Sequence, residues 1–281
     1  MESGGRSAII AWWLAGKRPL AVMNFHNSTT CPPWYYRFIE NSIDALVIRT
    51  ASHIVSVSKD CLDSLNTRKA FLGCSKLSYI HNGIEDPMSL VESAPTNIEN
   101  KAPLKRYCLM LATYEIRKGH SYLLQAFQKV VKDFPDVQLK IYGDGRPNEK
   151  KRVANELVRL KLENNVTLGD FTPQTTALIA GASVLVVPSQ AYESFGLTII
   201  EAMAFGVPIV VTDVGGMPEV LEDSDAGYVC SRNSPLEFAA AIKDILSNPV
   251  LATKLGQNGR LAFERRFMAD TMASNYRELL D

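Results

Sequence analysis

Short β-branched runs alternate with amphipathic stretches along most of the chain. In the first part, PLAVMNF (19–25), HIVSVS (53–58) and KLSYI (76–80) predict strands, with helical stretches around 34–50 and 59–72. A new alternation begins at Tyr107 with the strand YCLMLAT and the helix HSYLLQAFQKVVKDF (120–134). VQLKIYG (137–143), VTLG near 166, SVLVVP (183–188) and PIVVT (208–212) predict further strands. Helices are predicted between them at about 148–163, 174–181, 196–205 and 217–222, followed by two from Pro235 and about Val250 and a last one, ADTMASNYRELL. This alternation is the pattern of parallel sheets covered by helices, so the fold class is α/β. From Glu85 to Arg106 the chain is rich in Pro, Asn, Ser and charge without a sustained period, which predicts a linker between two units.

Composition narrows the picture. With 281 residues, 46% of them hydrophobic, the chain has enough apolar material for two cores. Lys and Arg total 30, as do Asp and Glu, so no global excess of positive charge argues for nucleic acid. The five cysteines (Cys31, Cys61, Cys74, Cys108, Cys230) have no CxxC pairing, which favours a reducing, cytoplasmic compartment over a disulfide framework or a zinc site. AIIAWWLAG (8–16) is about half of a bilayer span and reads as a core helix; the other reading places Trp12 and Trp13 at a membrane surface.

The chemistry concentrates in ESFGLTIIE, framed by Glu193 and Glu201. Eight residues of helix would separate them by about 12 Å, whereas paired glycosidase carboxylates sit about 5 to 9.5 Å apart. A shared acid/base role is therefore disfavoured. SFGLTIIEAMAFG instead sets a Gly-containing loop at a helix start, where unpaired N–H groups and the helix dipole favour an anion such as a diphosphate. Glu201, within that helix, is placed to accept hydrogen bonds from sugar hydroxyls.

PSQAYESFGLTIIEAMAFGVPIVVTDVGGMPEV resembles the signature of retaining glycosyltransferases of family 4, which have two Rossmann-like domains in the GT-B architecture. RKGHSYLLQAF, IYGDGRP and VTLGDF resemble that family's phosphate-lysine segment, Gly-Asp-Gly turn and base-side segment, and HNGIE its turn between domains. The resemblance runs from about Tyr107 to the C-terminus, and it implies a nucleotide-sugar donor lodged between the domains. Lys118, with Arg117 beside it, would neutralise the leaving diphosphate together with the N–H groups of Phe195, Gly196 and Leu197 in the loop opened by Ser194. Glu193 would face the donor sugar, Glu201 would hold the ribose, and His26, in VMNFHNS, matches the family's histidine near the donor sugar. His53, His81 and His120 read as structural.

Two departures stand out. Ala112, Thr113 and Tyr114 occupy the place of the family's Gly-Arg-Leu, so one donor-phosphate arginine is missing and Arg117 is the candidate substitute. Residues 1–90 are short for a Rossmann-like domain and lack the family's N-terminal Gly-rich loop, so an incomplete acceptor-side domain is expected, with a partner chain as one way to complete it. The expected organisation is then 1–90 partial N-terminal domain, 91–106 linker, 107–265 nucleotide-sugar-binding domain, and 266–281 a helix returning to the first domain. DSD at Asp223–Asp225 reads as a turn rather than a metal motif, and GDGRPN (143–148) is only a partial dinucleotide fingerprint. No metal or other cofactor is expected. These residues suggest transfer of a sugar from a nucleoside diphosphate to a glycan or lipid-linked acceptor in cell-surface polysaccharide assembly, in the cytoplasm or docked on the inner membrane face. The rival readings are a non-catalytic nucleotide-sugar-binding module and, from the partial fingerprint, a nicotinamide-dependent oxidoreductase.

Overall fold

The computed structural model of the chain describes residues 21–22, 34–88 and 106–281, and the side chains of 42–88 and 106–281. The first part comprises β1 (Ala21–Val22), α1 (Trp34–Thr50), β2 (Ile54–Ser56), α2 (Lys59–Asn66), a 3-10 turn (Lys69–Phe71) and β3 (Leu77–Tyr79). Its three strands are parallel in the order β1-β2-β3. The stretch predicted as one helix over 59–72 is split: α2 gives way at Thr67, and Arg68 is extended before the 3-10 turn, which drops Phe71 into a core with Val47, Ile54 and Leu65. Burying Phe71 there outweighs continuing a polar helix. The predicted helix at 8–16 and His26 lie outside the described residues.

The second part runs β4 (Tyr107–Leu111), a 3-10 turn (Ile116–Lys118), α3 (His120–Asp133), β5 (Gln138–Tyr142), α4 (Pro147–Arg159), β6 (Val166–Gly169), α5 (Thr175–Ala180) and β7 (Val184–Val187). It continues through α6 (Leu197–Ala204), β8 (Ile209–Thr212), α7 (Met217–Leu221), β9 (Gly227–Cys230), α8 (Pro235–Ser247), α9 (Pro249–Arg266) and α10 (Ala269–Leu280). The six parallel strands are ordered β6-β5-β4-β7-β8-β9. Counted from the sheet's own first strand this is 3-2-1-4-5-6, the doubly wound order of dinucleotide-type folds.

Both sheet faces are covered, and the sequence shows why. Successive residues of a strand point to opposite faces. In β4, Cys108 and Met110 join the core under α3 and α8, while Tyr107 and Leu109 join the core under α6 and α7. Strands apolar at every position are what a sheet buried on both sides requires. β9 is the one strand the hydrophobic pattern does not announce. It has four residues, opens on a glycine, follows the polar Asp223–Asp225 loop and leaves Val229 exposed, so backbone pairing to β8 makes it a strand where periodicity cannot.

The two parts meet through residues remote in sequence. Val57 and Cys61 of the first part belong to the same apolar cluster as Phe195, Met217 and Phe267. Ile84 pairs with Met268, and the Arg260 guanidinium holds Asp86 at 2.9 and 2.5 Å while donating to the Ala204 carbonyl at 2.8 Å. Gly83 N–H reaches the Met272 sulfur on α10 at 3.2 Å. Residues 83–86 are thereby stitched to α9 and α10.

Candidate functional site

In an open parallel sheet the ligand crevice lies beyond the carboxyl ends of the strands where strand order reverses. Here that point falls between β4 and β7, which pair through Cys108 with Val184 and Leu109 with Leu185. A cleft of about 290 Å³ opens there. Its walls are Met110–Ala112 at the end of β4, Val186–Ser189 at the end of β7, Lys118, Glu193–Thr198 and, from the first part of the chain, Asn82.

Lys118 reaches the cleft because Gly119 takes a left-handed φ of +78° and lies against the end of β7. A Cβ at Gly119 would lie 1.9 Å from the Pro188 carbonyl oxygen, so only glycine permits the approach. Lys118 Nζ donates to Glu193 Oε2 at 2.6 Å, and both side chains are largely buried. Ser189 Oγ donates to the same oxygen at 3.1 Å, and the Thr212 hydroxyl donates to the Ser189 carbonyl. From the far side, Gly216 N–H donates to the Glu193 carbonyl at 2.9 Å, while Gly215, at φ +59°, lies so close that a Cβ would come within 1.9 Å of that oxygen. Glu193 is thus fixed through both its carboxylate and its backbone.

Arg117 is placed differently from the expectation that it substitutes for a donor-phosphate arginine. Its Nε donates to Glu115 at 2.7 Å and its Nη1 to the Tyr192 carbonyl at 2.9 Å, and it does not line the cleft. The physical reason is the neighbouring carboxylate, which the guanidinium in turn holds below its ordinary pKa. Arg117 braces the loop instead, since Tyr192 carries a left-handed φ of 54° that a non-glycine residue adopts only when held.

The loop Ser194–Leu197 opens α6. Gly196 at φ +91° turns the chain, and Gly196, Leu197 and Thr198 bring the N-terminal, positive end of α6 to the cleft wall. The Phe195 ring faces the other way, fully buried against His81 and Phe267 at ring-centroid distances of 5.6 and 5.9 Å. Glu201 lies one turn beyond Leu197 and Thr198 on the same face of α6, outside the cleft wall. Burial alone raises its carboxyl above the ordinary 4.5, and it has no hydrogen-bond or ion-pair partner among the described residues. Ser189, Thr198 and Asn82 line the cleft without having been singled out in the sequence. Ser189 follows a strand-ending proline and was findable; Asn82 arrives only through tertiary contact.

The remaining histidines divide. His120 is buried with its ring stacked on Tyr114 at 5.0 Å, and desolvation pushes its pKa down to about 4. His81 is more than packing, because its Nε2 lies 3.0 Å from Glu219 Oε1. A broader groove of about 470 Å³ between α2 and α7 is rimmed by Asp60, Asp63, Glu219, Glu222 and Asp225, with Lys59 as its cation, and so repels a diphosphate. Among the described residues no group of three or more His, Cys, Asp or Glu is arranged to hold a metal, and no helix is long and apolar enough to cross a membrane.

A doubly wound sheet with a cation–carboxylate pair and a helix N-terminus at its switch point defines a Rossmann-like α/β protein. Its architecture is GT-B: the crystal structure of Anabaena HepE in complex with UDP and glucose matches over 100% of this chain and 76% of its own, with a TM-score of 0.83 at 19% identity. The chain belongs to the glycosyl transferases group 1 family, whose model matches residues 95–262. A phosphatidyl-myo-inositol mannosyltransferase of Mycobacterium tuberculosis is 36% identical over 163 residues, which is 56% of this chain and 42% of the relative. An N-acetyl-alpha-D-glucosaminyl L-malate synthase of Bacillus anthracis is 31% identical over 154 residues, 55% of this chain and 39% of the relative. The chain therefore spans about two fifths of the length of these curated relatives.

Proposed function

We propose that this chain is a retaining, family-4-like glycosyltransferase that moves a sugar from a nucleoside diphosphate to a glycan or lipid-linked acceptor, without a metal ion. The observation that carries the reading is the Lys118–Glu193 pair beside the N-terminus of α6 at the switch-point cleft. An ammonium has three donors, so Lys118 can keep Glu193 and still reach a phosphate oxygen. As the bond from the sugar's anomeric carbon to the diphosphate oxygen breaks, negative charge grows on the diphosphate. Lys118 and the α6 amides meet that charge, and each such fixed donor is worth about 10² to 10³ in rate. The cation here does what a metal does in other transferases.

Glu193, held beside Lys118, faces the sugar, which gains positive character as the bond breaks. Glu201, without a partner among the described residues, takes the ribose hydroxyls. The relatives that act on a lipid head group and on malate support a small hydroxylated acceptor; a role in cell-surface glycan assembly, at the cytoplasmic face of the membrane, is the same reading extended. The test is calorimetric titration of the 281-residue chain with UDP, GDP, UDP-glucose and GDP-mannose, followed by release of free sugar or transfer. Binding of one nucleotide series, weakened at least about tenfold in Lys118→Ala with turnover lost, supports the reading. A folded chain that binds neither series refutes it.

A further inference from the structure

Asn82 belongs to the turn that follows β3, yet it lines the cleft with Lys118, Glu193, Ser194 and Gly196. Every other residue of that wall comes from Met110 or later, so Asn82 is the wall's contribution from the N-terminal part. It is half-buried, and its carboxamide has no hydrogen-bond partner among the described residues. Its neighbours, in contrast, are fixed on both sides. The His81 ring packs against both Phe195 and Phe267, at 5.6 and 5.8 Å, with Nε2 3.0 Å from Glu219 Oε1. The same Glu219 carboxylate accepts the N–H groups of Lys59 (2.9 Å) and Asp60 (3.2 Å), the first two residues of α2, where a negative charge also meets the positive end of the helix. On the other side, Ile84 N–H donates to the Phe267 carbonyl at 3.0 Å, and a Cβ at Gly83 would lie 2.5 Å from the Met268 carbonyl oxygen. The backbone from 81 to 84 therefore has little freedom, and it presents an unpartnered amide to the cleft.

A carboxamide both donates and accepts, as a sugar hydroxyl does, whereas phosphate oxygens only accept and are already met by Lys118 and the α6 amides. Resting on the reading of the cleft as a nucleotide-sugar site, we infer that Asn82 is a binding residue for the hydroxyls of the transferred sugar, and that Glu219 and His81 are the positioning pair that seats it. Recognition of the sugar then uses side chains from both parts of the chain, while the groups that meet the diphosphate directly all belong to the second part.

The test is calorimetry on the full chain with UDP against UDP-glucose, and GDP against GDP-mannose, for the unsubstituted protein, Asn82→Ala, Glu219→Ala and Glu219→Gln. Asn82→Ala should leave diphosphate affinity within about twofold and weaken the nucleotide sugar about threefold to tenfold, the range of one hydrogen bond. Glu219→Ala should do the same, with partial recovery in Glu219→Gln, which keeps an acceptor oxygen. If Glu219→Ala does not fold, Asn82→Ala alone decides, since removing an unpartnered amide leaves the fold intact. Equal weakening for diphosphate and nucleotide sugar, or unchanged affinity for both, overturns the inference while leaving the proposed function standing. An unsubstituted chain that binds none of the four ligands overturns both.

Discussion

Replacing Lys118 by methionine keeps most of the side-chain volume and deletes the charge. Glu193 Oε2 then retains only the Ser189 hydroxyl at 3.1 Å, in a setting where its side chain is 14% exposed. Exposed ion pairs contribute about 0.2 to 1 kcal/mol, and breaking a fully buried one costs about 3 to 5 kcal/mol. An intermediate cost of about 1 to 2 kcal/mol follows, a fall in Tm of about 2 to 8 °C. Binding suffers more, since a charge-assisted hydrogen bond to a phosphate is worth about 1.5 to 3 kcal/mol, or about 10- to 150-fold in the Kd for UDP. Glu193→Gln should behave oppositely toward the diphosphate: affinity holds or rises, because Lys118 no longer shares its charge, while sugar transfer or donor hydrolysis falls at least a hundredfold.

The double substitution separates the two roles. Lys118→Met with Glu193→Gln leaves no unpaired charge, so stability should recover toward that of the unsubstituted chain, while UDP affinity stays as low as in Lys118→Met. Chemical denaturation and calorimetry on the same four proteins read both quantities. The reasoning is refuted if a folded Lys118→Met binds UDP within twofold of the original, or if the double variant is as unstable as the single one.

Three further outcomes follow from the geometry. Glu201 has a carboxyl raised above 4.5 by burial, so its ionisation weighs against the fold: stability falls as pH rises through 4.5 to the raised value and stays lower above it. Glu201→Gln should therefore raise Tm at pH 7, with the gain vanishing below pH 4.5, and should still weaken nucleoside binding; no Tm difference at pH 7 counts against it. Gly215→Ala brings a Cβ to 1.9 Å from the Glu193 carbonyl at a left-handed φ, and should cost about 1 to 3 kcal/mol and lower turnover together, checked by thermal melts and donor hydrolysis. Asp86 is held below its ordinary 3.8 by Arg260, so its contribution, about 0.2 to 1 kcal/mol, is present above pH 3.8 and lost as pH falls below it. Asp86→Asn should lower Tm slightly at pH 7, with the difference shrinking as pH falls below 3.8, and equal Tm values at pH 7 would contradict the role given to the Arg260 contact.

The second part of the chain was legible because its strands are buried on both faces and its helices on one, so hydrophobic pattern and tertiary environment agree. β4 and α3 fall within a residue or two of where YCLMLAT and HSYLLQAFQKVVKDF place them. β9 was not legible, since an edge strand with an exposed Val229 carries no periodic mark. At the site, Lys118 and Glu193 were singled out by the resemblance to the glycosyltransferase signature, and the structure brings them to 2.6 Å across 75 positions of sequence. Arg117, the candidate substitute for a donor-phosphate arginine, stays off the cleft because a nearest-neighbour carboxylate, Glu115, holds it over a distance that spacing alone does not rank.

What spacing does not contain is the set of close approaches that aim these side chains. Gly119 lies on the Pro188 carbonyl, Gly215 on the Glu193 carbonyl, and Gly216 on both the Ser194 carbonyl and the Ser58 side chain at the start of α2. Each contact joins loops from different strands, and the last joins the two parts of the chain. The Cys61 thiol adds to it by donating to the Ser194 carbonyl at 3.7 Å. The donor loop is therefore supported from behind by the N-terminal part and from the side by Gly215 and Gly216 after β8. A substitution in α2 that leaves every cleft residue in place, such as Cys61→Phe, should displace Ser194 and lower donor affinity without touching the ligand, because the backbone that carries the α6 amides rests on it.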